Sequence, residues 1–359
     1  MNEREIISVL PGHIEKISKE TGAFEIIDRK TGFGGEKPKG RKASISPDLV
    51  LKIKTKTKRG YTFYVDVQST GQPRYVRSAV NQLQEMTANE PGAYGILATK
   101  YLSKESTTIC KENGIGFIDL AGNCLINIDD IYIDIQGKPN PNPEKRRLKS
   151  LFSYKATRAL RVLLSDPAKD WYVKELAEKA NISLGLASNL KQKLLDFEFI
   201  KDKGKKAFCV SAPEALLVRW SENYNYRENK TAHFYSLDEM SDIENKLVEY
   251  CDSQRIQYAF TLSSGASRTA PSLRYNQVFA YISVPADQVA RELGWKEVAS
   301  GANILLLEPY DEGIFYGLQT VDGYKIVSDV QLYLDLKSYK GRGEEAAEFL
   351  LENRLIKKW

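Results

Sequence analysis

The feature that most constrains this chain is a short proline-rich segment near residue 140. Residues 137–144 read GKPNPNPE, with a proline at every second position. Proline has a fixed φ and no backbone N–H, so such a segment cannot continue a helix or lie at the centre of a sheet. We therefore predict a semi-rigid spacer at residues 137–144 that separates an N-terminal domain from the rest of the chain.

The lengths on either side of this spacer allow more than one domain. The chain has 359 residues, 42% of them hydrophobic and 28% charged, and domains of roughly 100–200 residues predict two or three. A second, weaker boundary is predicted near residues 221–236, where no periodicity is sustained. The predicted domains are residues 1–136, 145–220 and 237–359, and the predicted fold class is multi-domain α/β and α+β.

Composition disfavours several classes of protein. No run approaches the ~18–20 apolar residues of a membrane span, and the N-terminus has no secretory signal pattern. Only two histidines are present, so a three-histidine metal site is excluded and catalysis would depend on carboxylates, Lys, Ser or Tyr. We expect a cytoplasmic protein without structural zinc or disulfides, because its cysteines are far apart and form no CxxC pair. They are Cys110, Cys124, Cys209 and Cys251.

The positive charge is concentrated in one part of the chain. Residues 145–230 contain 19 Lys and Arg against 10 Asp and Glu, a net charge of +9, whereas the remainder carries −4. A basic segment within a slightly acidic protein is typical of a surface that binds a polyanion, although an ordinary solvated surface is also compatible with it.

Within this basic segment the pattern predicts three helices and a hairpin. Apolar positions at helical spacing predict a helix over residues 148–164, and KELAEKANI predicts a second, shorter one. A tight turn at 181–183 places Ser183 as the N-cap of a third helix. Residues 200–210 read as two short strands around a basic turn at Gly204. In the third helix, Ala187, Leu190 and Leu194 are predicted to share one face and Ser188, Asn189, Lys191 and Gln192 the other.

This order resembles the winged helix-turn-helix of bacterial transcription regulators. The resemblance is carried by WYVKELAEKANISLGLASNLKQKLLDFEFIKDKGKKAFCV. It implies that the third helix enters the major groove of double-stranded DNA and that the wing contacts phosphates. A winged helix used for protein–protein contact is the alternative. The candidate DNA-binding residues are Ser183, Ser188, Asn189, Lys191, Gln192, Lys203, Lys205 and Lys206.

The N-terminal domain resembles the core of restriction-endonuclease-like nucleases. The predicted order is a helix (2–19), three strands (23–28, 48–54, 61–68), a helix (74–87), a strand (94–98), a helix (103–112) and short strands near 116–119, 124–128 and 131–136. The metal motif of that class, Pro-Asp followed by (Asp/Glu)-x-Lys, has its match in Pro47-Asp48 and Asp66-Val67-Gln68. Two carboxylates on neighbouring strands hold Mg²⁺ in such sites, and a helix acid such as Glu15 could add a third ligand.

Gln68 departs from this motif, because glutamine stands where lysine is usual and cannot transfer a proton at neutral pH. A degenerate nuclease-like domain is therefore favoured. An active nuclease using Asp48, Asp66 and Gln68, or another fold in which Asp48 caps a strand, remains open. The expectation is no enzyme, no metal and no cofactor, with Mg²⁺ required only by the nuclease alternative.

The C-terminal domain faintly resembles the nucleotidyltransferase fold. A helix (238–251), a strand (256–262), the GS-containing segment Ser263–Arg268, a strand (275–284) and a helix (285–293) carry the resemblance. The second strand lacks the carboxylates of that chemistry, so catalysis by this route is not expected. The segment NILLLEPYDEGIFYG predicts a buried strand, a turn at Asp311-Glu312-Gly313 and another strand. Its apolar residues at 303–307 and 314–318 are also expected to offer a self-complementary surface, and hence a homodimer.

Most of the chain resembles the AbiEi-type antitoxins and transcriptional regulators of bacterial type IV toxin–antitoxin systems. The segments that carry the resemblance are VDVQSTGQPRYVRSAVNQL, GIGFIDLAGNCLI, LLLEPYDEGIFYG and VSDVQLYLDLKSYKGRGEEAAEFL. In that family the winged helix usually lies at the N-terminus, whereas here the matching segment is central. The resemblance implies DNA binding, repression of the protein's own operon and a nucleotidyltransferase toxin as partner.

Three functions follow from the sequence. The first is a DNA-binding transcriptional regulator of antitoxin type, and the second is a Mg²⁺-dependent nuclease targeted to DNA by the winged helix. The third is a protein-interaction scaffold. Magnesium-dependent cleavage would separate the second from the first, and salt-dependent DNA binding would separate the first from the third.

Overall fold

The computed structural model describes residues 2–31, 46–141, 151–269, 275–339 and 342–359. The chain divides into two compact units. The first comprises Met1–Pro143 with Asp196–Glu198, and the second comprises Glu144–Leu195 with Phe199–Trp359. The boundary between them falls within the proline-rich segment, of which residues 142–144 lie outside the described part. The second unit contains both the basic segment and the C-terminal segment that were predicted as separate domains.

The first unit has helices and strands in the order predicted from the sequence. Its helices are α1 (Glu3–Thr21), α2 (Pro73–Thr87) and α3 (Lys104–Glu112). Its strands are β1 (Phe24–Thr31), β2 (Leu49–Thr55), β3 (Gly60–Gln68), β4 (Ala93–Thr99), β5 (Gly116–Asp119), β6 (Cys124–Ile128) and β7 (Ile131–Ile135). The strands form one sheet in the order β1-β2-β3-β4-β5-β6-β7. Strands β3, β4 and β5 are parallel and the other neighbours are antiparallel.

Helices cover both faces of this sheet. Helix α1 begins with a capping box, in which the Asn2 side chain accepts from the Glu5 backbone N–H and the Glu5 carboxylate accepts from that of Asn2. Its apolar residues recur at helical spacing and are buried against one face of the sheet. Helices α2 and α3 cover the other face. Strand residues alternate between the two cores, as in β4, where Ile96 and Ala98 face α1 and Leu97 faces α2.

The second unit begins with three helices and a hairpin. The helices are α4 (Tyr154–Ser165), α5 (Val173–Lys179) and α6 (Leu184–Asp196), and the hairpin strands are β8 (Ile200–Gly204) and β9 (Ala207–Val210). Residues 148–150 of the predicted first helix lie outside the described residues, and α4 begins only at Tyr154. Trp171, between α4 and α5, forms a bridge with Phe208 that adds a third short stretch to the hairpin.

The remainder of the second unit is built on a mixed sheet. Its helices are α7 (Pro213–Ser221), α8 (Met240–Ser253), α9 (Leu262–Thr269), α10 (Ala286–Leu293), α11 (Asp329–Ser338), α12 (Arg342–Leu350) and, after a π-helical turn at Leu351–Leu355, α13 (Ile356–Lys358). Single 3₁₀ turns lie at Tyr226–Glu228 and Glu312–Phe315. Its strands are β10 (Lys230–Tyr235), β11 (Tyr258–Phe260), β12 (Val278–Ile282), β13 (Lys296–Glu297), β14 (Ile304–Glu308), β15 (Gln319–Val321) and β16 (Tyr324–Ile326).

The sheet order is β13-β10-β14-β12-β11-β16-β15. Helices α8 and α10 bury Ile243, Leu247 and Val289 against one face of it. On the other face the Tyr281 hydroxyl of β12 reaches Asp335 of α11. The sheet is therefore the layer on which the C-terminal helices are assembled.

The GS-containing segment forms helix α9 instead of a plain connection between two strands. Small side chains make this possible, because α9 packs closely on its neighbours. A Cβ on Gly265 would lie only 3.1 Å from both the Phe260 carbonyl oxygen and the Leu332 side chain. The Ser264 hydroxyl accepts a hydrogen bond from the backbone N–H of Phe279 at 2.9 Å, which fixes α9 to β12.

The surface that was predicted to mediate dimerisation is not a surface. Residues 304–308 form the strand β14, between β10 and β12, and its apolar side chains are buried. The predicted buried strand and the predicted turn at Asp311–Gly313 are confirmed, but the second predicted strand, at 314–318, is wrong. The Asp311 side chain accepts from the Gly313 N–H at 2.7 Å and starts a 3₁₀ turn in which Ile314 and Phe315 are buried. The homodimer itself stays a prediction, but the apolar residues at 303–307 and 314–318 no longer support it.

Candidate nucleic-acid interface

The turn between α5 and α6 is short and fixed by local hydrogen bonds. Asn181 has a φ of 50°, a left-handed conformation that asparagine tolerates better than most residues. Two residues later the Ser183 hydroxyl accepts from the Leu186 N–H at 3.2 Å, which confirms Ser183 as the predicted N-cap of α6. The turn therefore sets where α6 begins and which face it exposes.

Helix α6 is divided into a buried and an exposed face. Ala187, Leu190 and Leu194 are buried, as the sequence predicts. We define the exposed face of α6 as the solvent-accessible residues of its first three turns. They are Leu184, Gly185, Ser188, Asn189 and Gln192.

Lys191 does not belong to this exposed face, contrary to the sequence-based prediction. Its side chain is only 16% exposed, and its ammonium group lies 2.8 Å from an Asp202 carboxylate oxygen. The same ammonium lies 5.1 Å from the centre of the Phe208 ring. Lysine packs along apolar surface with its long stem, and here it fastens α6 to the hairpin. Its charge is already partnered within the protein.

The hairpin presents its basic residues at its tip. Gly204 pairs with Ala207, so that Lys205 and Lys206 form a two-residue turn with φ values of 48° and 69°. Positive φ at both central residues is typical of a type I′ turn, which matches the twist of a hairpin. Lys203, Lys205 and Lys206 are all exposed. Among the described residues, no carboxylate forms an ion pair with any of these three.

A third stretch of chain pairs with the hairpin close to its tip. The Trp171 N–H donates to the Phe208 carbonyl at 2.7 Å, and the Phe208 N–H donates to the Trp171 carbonyl at 3.0 Å. The ammonium of Lys169 lies 4.3 Å from the centre of the Trp171 ring and pairs with Glu175 at 2.5 Å. The strand that follows the lysine tip is therefore paired on one side with β8 and on the other with Trp171.

The carboxylates predicted for the nuclease alternative lie on adjacent strands but are used in hydrogen bonds. The Asp48 carboxylate accepts from the Val67 N–H at 2.8 Å, while the Asp48 N–H donates to the Val65 carbonyl at 3.0 Å. Asp48 thus extends the β2–β3 ladder, as a strand cap does. The Asp66 carboxylate is buried and accepts from the Gln68 amide at 2.7 Å.

The described residues place two aspartates near each other but no third acidic ligand beside them. Within the described ranges, no group of three or more His, Cys, Asp or Glu side chains is placed to hold a metal ion. Glu15, considered as a third ligand, is exposed and lies 3.9 Å from Arg29. Each of the two aspartates accepts a hydrogen bond from the protein through one carboxylate oxygen, and Mg²⁺ bound by two carboxylates would take its remaining ligands from water and phosphate.

A buried polar network in the second unit was missed by sequence reasoning. Arg161 of α4 is fully buried, and its Nε and Nη2 donate to the Gln331 side-chain oxygen at 3.0 and 2.6 Å. The Gln331 amide donates in turn to Asp335 at 2.9 Å. The signal in the sequence is a charged residue inside an apolar helical run, in RALRVLLS for Arg161 and in VQLYLDL for Asp335.

Asp335 is the centre of this network. Burial raises its pKa to about 6, although hydrogen bonds from its neighbours act to lower it. The donors are the hydroxyls of Thr261, Tyr224 and Tyr281 and the amide of Gln331. Burial also raises the pKa values of both tyrosines well above the ordinary value, with the Asp335 charge adding to the effect. Because Asp335 and Gln331 are fully buried, the network is structural.

Further contacts hold α4 against the C-terminal part of the second unit. The Arg158 guanidinium donates to both carboxylate oxygens of Asp311 at 2.8 and 3.0 Å. The rings of Tyr154 and Tyr310 are stacked with centres 4.3 Å apart. The Trp359 indole donates to the α4 backbone at 3.0 Å. Helix α4 therefore belongs to the helix–hairpin segment and also packs against residues of the C-terminal segment.

Comparison with known proteins finds a family match for the C-terminal segment. Residues 210–356 match the family model described as "Transcriptional regulator, AbiEi antitoxin, Type IV TA system". The resemblance stated from the sequence is confirmed over this segment, which contains LLLEPYDEGIFYG and the last of the four strings quoted above. The match does not extend to the first unit or to helices α4, α5 and α6.

The other comparisons add little. No curated protein matches the chain. A solved structure described as "Structure of EndoMS in apo form" is similar at 14% identity and a TM-score of 0.20. The similarity covers 30% of this chain and 45% of that one, so the chain spans less than half of its length. No helix in the described ranges combines the length and apolar character needed to span a membrane.

Proposed function

We propose, from the match of residues 210–356 to the AbiEi antitoxin family of transcriptional regulators, that the chain binds double-stranded DNA and regulates transcription. The segment from α4 to β9 is then a winged helix, with α6 as its recognition helix and the β8–β9 hairpin as its wing. The observation that carries the proposal is the exposed face of α6 together with three exposed lysines on a hairpin that Lys191 fastens to α6.

The electrostatics of this segment favour a nucleic-acid partner over a protein partner. Residues 145–230 carry a net charge of +9, and the rest of the chain carries −4. Lysines that contact phosphates displace condensed counterions, so DNA affinity falls steeply with salt. A scaffold that binds another protein through the same face would not show a salt-dependent affinity for duplex DNA.

Affinity for duplex DNA at several salt concentrations tests the proposal. Replacing Lys203, Lys205 and Lys206 with alanine removes the ammonium groups of the wing, so we expect weaker binding to every duplex. The salt slope should become smaller by roughly one unit for each phosphate that is no longer neutralised. A matched control replaces Lys52, Lys54 and Lys56, which are exposed on or beside β2 of the first unit. The control removes the same charge and should bind normally. Wild-type binding that is insensitive to salt would contradict the proposal.

The family match also supports a proposal about the regulated gene and the partner. We infer that the protein represses its own operon and pairs with a toxin encoded beside it. The family description, an antitoxin of a type IV system, supports this inference. Repression of a reporter by its own upstream region, lost with the three wing alanines, would be expected. A reporter that is unaffected while DNA binding persists would contradict self-repression only.

A further inference from the structure

The exposed face of α6 has an unusual chemistry for a DNA-reading surface. Leu184, at its first turn, is 58% exposed and does not contribute to the core. Gly185 follows, and a Cβ placed there would meet nothing within 4 Å. Ser188 and Asn189 lie one turn further along the same side, because residues four apart are neighbours on a helix. The face therefore combines an apolar group, a bare stretch of backbone and a carboxamide.

The groups that usually read guanine are missing from this face. Helix α6 contains no arginine, which is the commonest partner of the guanine O6 and N7 atoms. Lys191 could substitute for it, but its ammonium is held by Asp202 at 2.8 Å. Lys193 is half-buried and lies in the last turn of α6, away from the N-terminal end that contacts base edges in helix-turn-helix complexes.

The groups that are present match an A·T base pair. In the major groove the thymine C5 methyl is the apolar feature of the base edges, and the exposed leucine is complementary to it. Asparagine forms a bidentate pair with adenine N6 and N7. Gly185, between these two residues, lets the helix backbone approach the base edges closely.

We infer that α6 reads A·T base pairs, with Leu184 against a thymine methyl and Asn189 on an adenine. This inference rests on the proposed function and specifies the class of DNA site. The N-terminal end of a recognition helix is the part that contacts base edges in helix-turn-helix complexes, which is where Leu184 and Asn189 lie. The wing lysines then supply affinity that does not depend on sequence.

Atomic substitutions in the DNA test the inference directly. Duplexes selected by the full-length protein from a randomised pool are first sequenced, and we expect A·T pairs at the most restricted positions. Deoxyuridine then replaces each thymidine in turn, which removes only the methyl group. At the contacted position the wild-type affinity should fall about three- to fivefold, the effect of one buried methyl. The Leu184→Ala variant should be insensitive to the same replacement.

A second substitution tests the asparagine. Replacing adenine by 7-deazaadenine removes the N7 acceptor, and wild-type affinity should fall roughly tenfold at the contacted position. The Asn189→Ala variant should not respond to it. Leu237→Ala is the matched control for the leucine, because Leu237 is 92% exposed and lies outside α6. It should respond to deoxyuridine as the wild type does.

The outcomes separate this inference from the proposed function. Salt-dependent DNA binding with G·C pairs at the restricted positions would overturn the A·T inference alone. If deoxyuridine lowers the affinity of the wild type and of Leu184→Ala equally, the leucine contact is overturned. If 7-deazaadenine lowers the affinity of the wild type and of Asn189→Ala equally, the asparagine contact is overturned. If the wild type fails to retain any duplex from the pool at low salt, the proposed function and this inference both fail.

Discussion

At the scale of a single residue, buried Asp335 makes the stability of the second unit depend on pH. Its pKa is raised from 3.8 to about 6, chiefly by burial, so the folded state holds the proton more tightly than the unfolded chain. The free energy of unfolding should therefore fall as pH rises from about 4 to about 6, and level off above about 7. Over that window the Asp335 contribution is about 3 kcal/mol.

The Asp335→Asn variant isolates this contribution, because an amide does not titrate. The difference in free energy of unfolding between variant and wild type should shift by about 3 kcal/mol in favour of the variant between about pH 4 and about pH 7.5. Tryptophan fluorescence in urea reports on the second unit, since it contains all four tryptophans of the chain. A difference that stays constant with pH would contradict the prediction.

The Asp329→Asn variant is a control, because the pH dependence of stability that Asp329 causes has the opposite direction. Burial acts to raise the pKa of Asp329, but hydrogen bonds from Lys358 and Gln319 and the charge of Arg354 bring it below the ordinary value. The stability that Asp329 contributes is present above about pH 4 and is lost as pH falls through its lowered pKa. The difference in free energy of unfolding between the wild type and Asp329→Asn should therefore shrink as the pH is lowered below about 4.

Single residues also show why sequence reasoning has limits. Ser183 was predictable as an N-cap, because the cap bonds within its own helix. The half-buried position of Lys191 was not predictable, because its partners Asp202 and Phe208 come from the hairpin. Arg161 meets Gln331, 170 residues further along the chain. Periodicity identifies which face of a helix is apolar, but it does not identify a distant partner for a charge on that face.

At the scale of an element, we expect Gly185 to lower the stability of α6 but to favour its affinity for DNA. Glycine is less favourable than alanine in a helix, and a Cβ at residue 185 would meet nothing within 4 Å. We expect Gly185→Ala to raise the free energy of unfolding by up to about 1 kcal/mol. The added methyl lies on the exposed face of α6, so DNA affinity should fall severalfold despite the gain in stability.

Gly12 of α1 provides the matched control for this prediction. It is also an exposed helical glycine, and a Cβ there would likewise meet nothing within 4 Å. Gly12→Ala should leave DNA affinity unchanged. Urea unfolding and duplex binding of both variants measure the two effects, and unchanged DNA affinity in Gly185→Ala would count against a close approach of the α6 backbone to DNA.

Elements were predictable where their signals are local. The alternating and helical patterns of the first unit predicted its helices and strands in order, because buried positions recur with the period of each element. The two errors lie in the C-terminal part. The segment at 263–268 is helical because small residues let it pack tightly on Phe260 and β12. The segment at 314–318 is not a strand, because Asp311 starts a turn there and also binds Arg158.

At the scale of the whole molecule, the helix–hairpin segment and the C-terminal sheet belong to one compact unit. Two of the residues that α4 contacts, Asp311 and Gln331, fall within the family match. The matched segment therefore contains the support on which α4 rests. The proline-rich segment predicts an interruption of regular structure, but composition could not show that α4 packs on residues as distant as Asp311, 153 positions from Arg158.

For the whole chain we predict DNA binding without DNA cleavage. Asp48 already extends the β2–β3 ladder through Val67, and Gln68 donates to Asp66 where a nuclease of this class has lysine. Glutamine cannot transfer a proton at neutral pH, and Glu15 lies beside Arg29 instead of adding a ligand. Supercoiled plasmid should therefore stay intact with Mg²⁺ or Mn²⁺ under conditions in which the protein binds it.

The Asp66→Asn variant decides whether any observed cleavage belongs to this protein. The substitution removes the charge that a metal would need but keeps an oxygen that can accept from Gln68, so folding and DNA affinity should be unchanged. A contaminating nuclease would cleave equally in both preparations. Metal-dependent cleavage that persists through purification of the wild type and disappears in Asp66→Asn would show that Asp66 binds metal when DNA supplies phosphate oxygens. In that case the first unit would be an active nuclease, and the winged helix would deliver it to DNA instead of acting as a repressor.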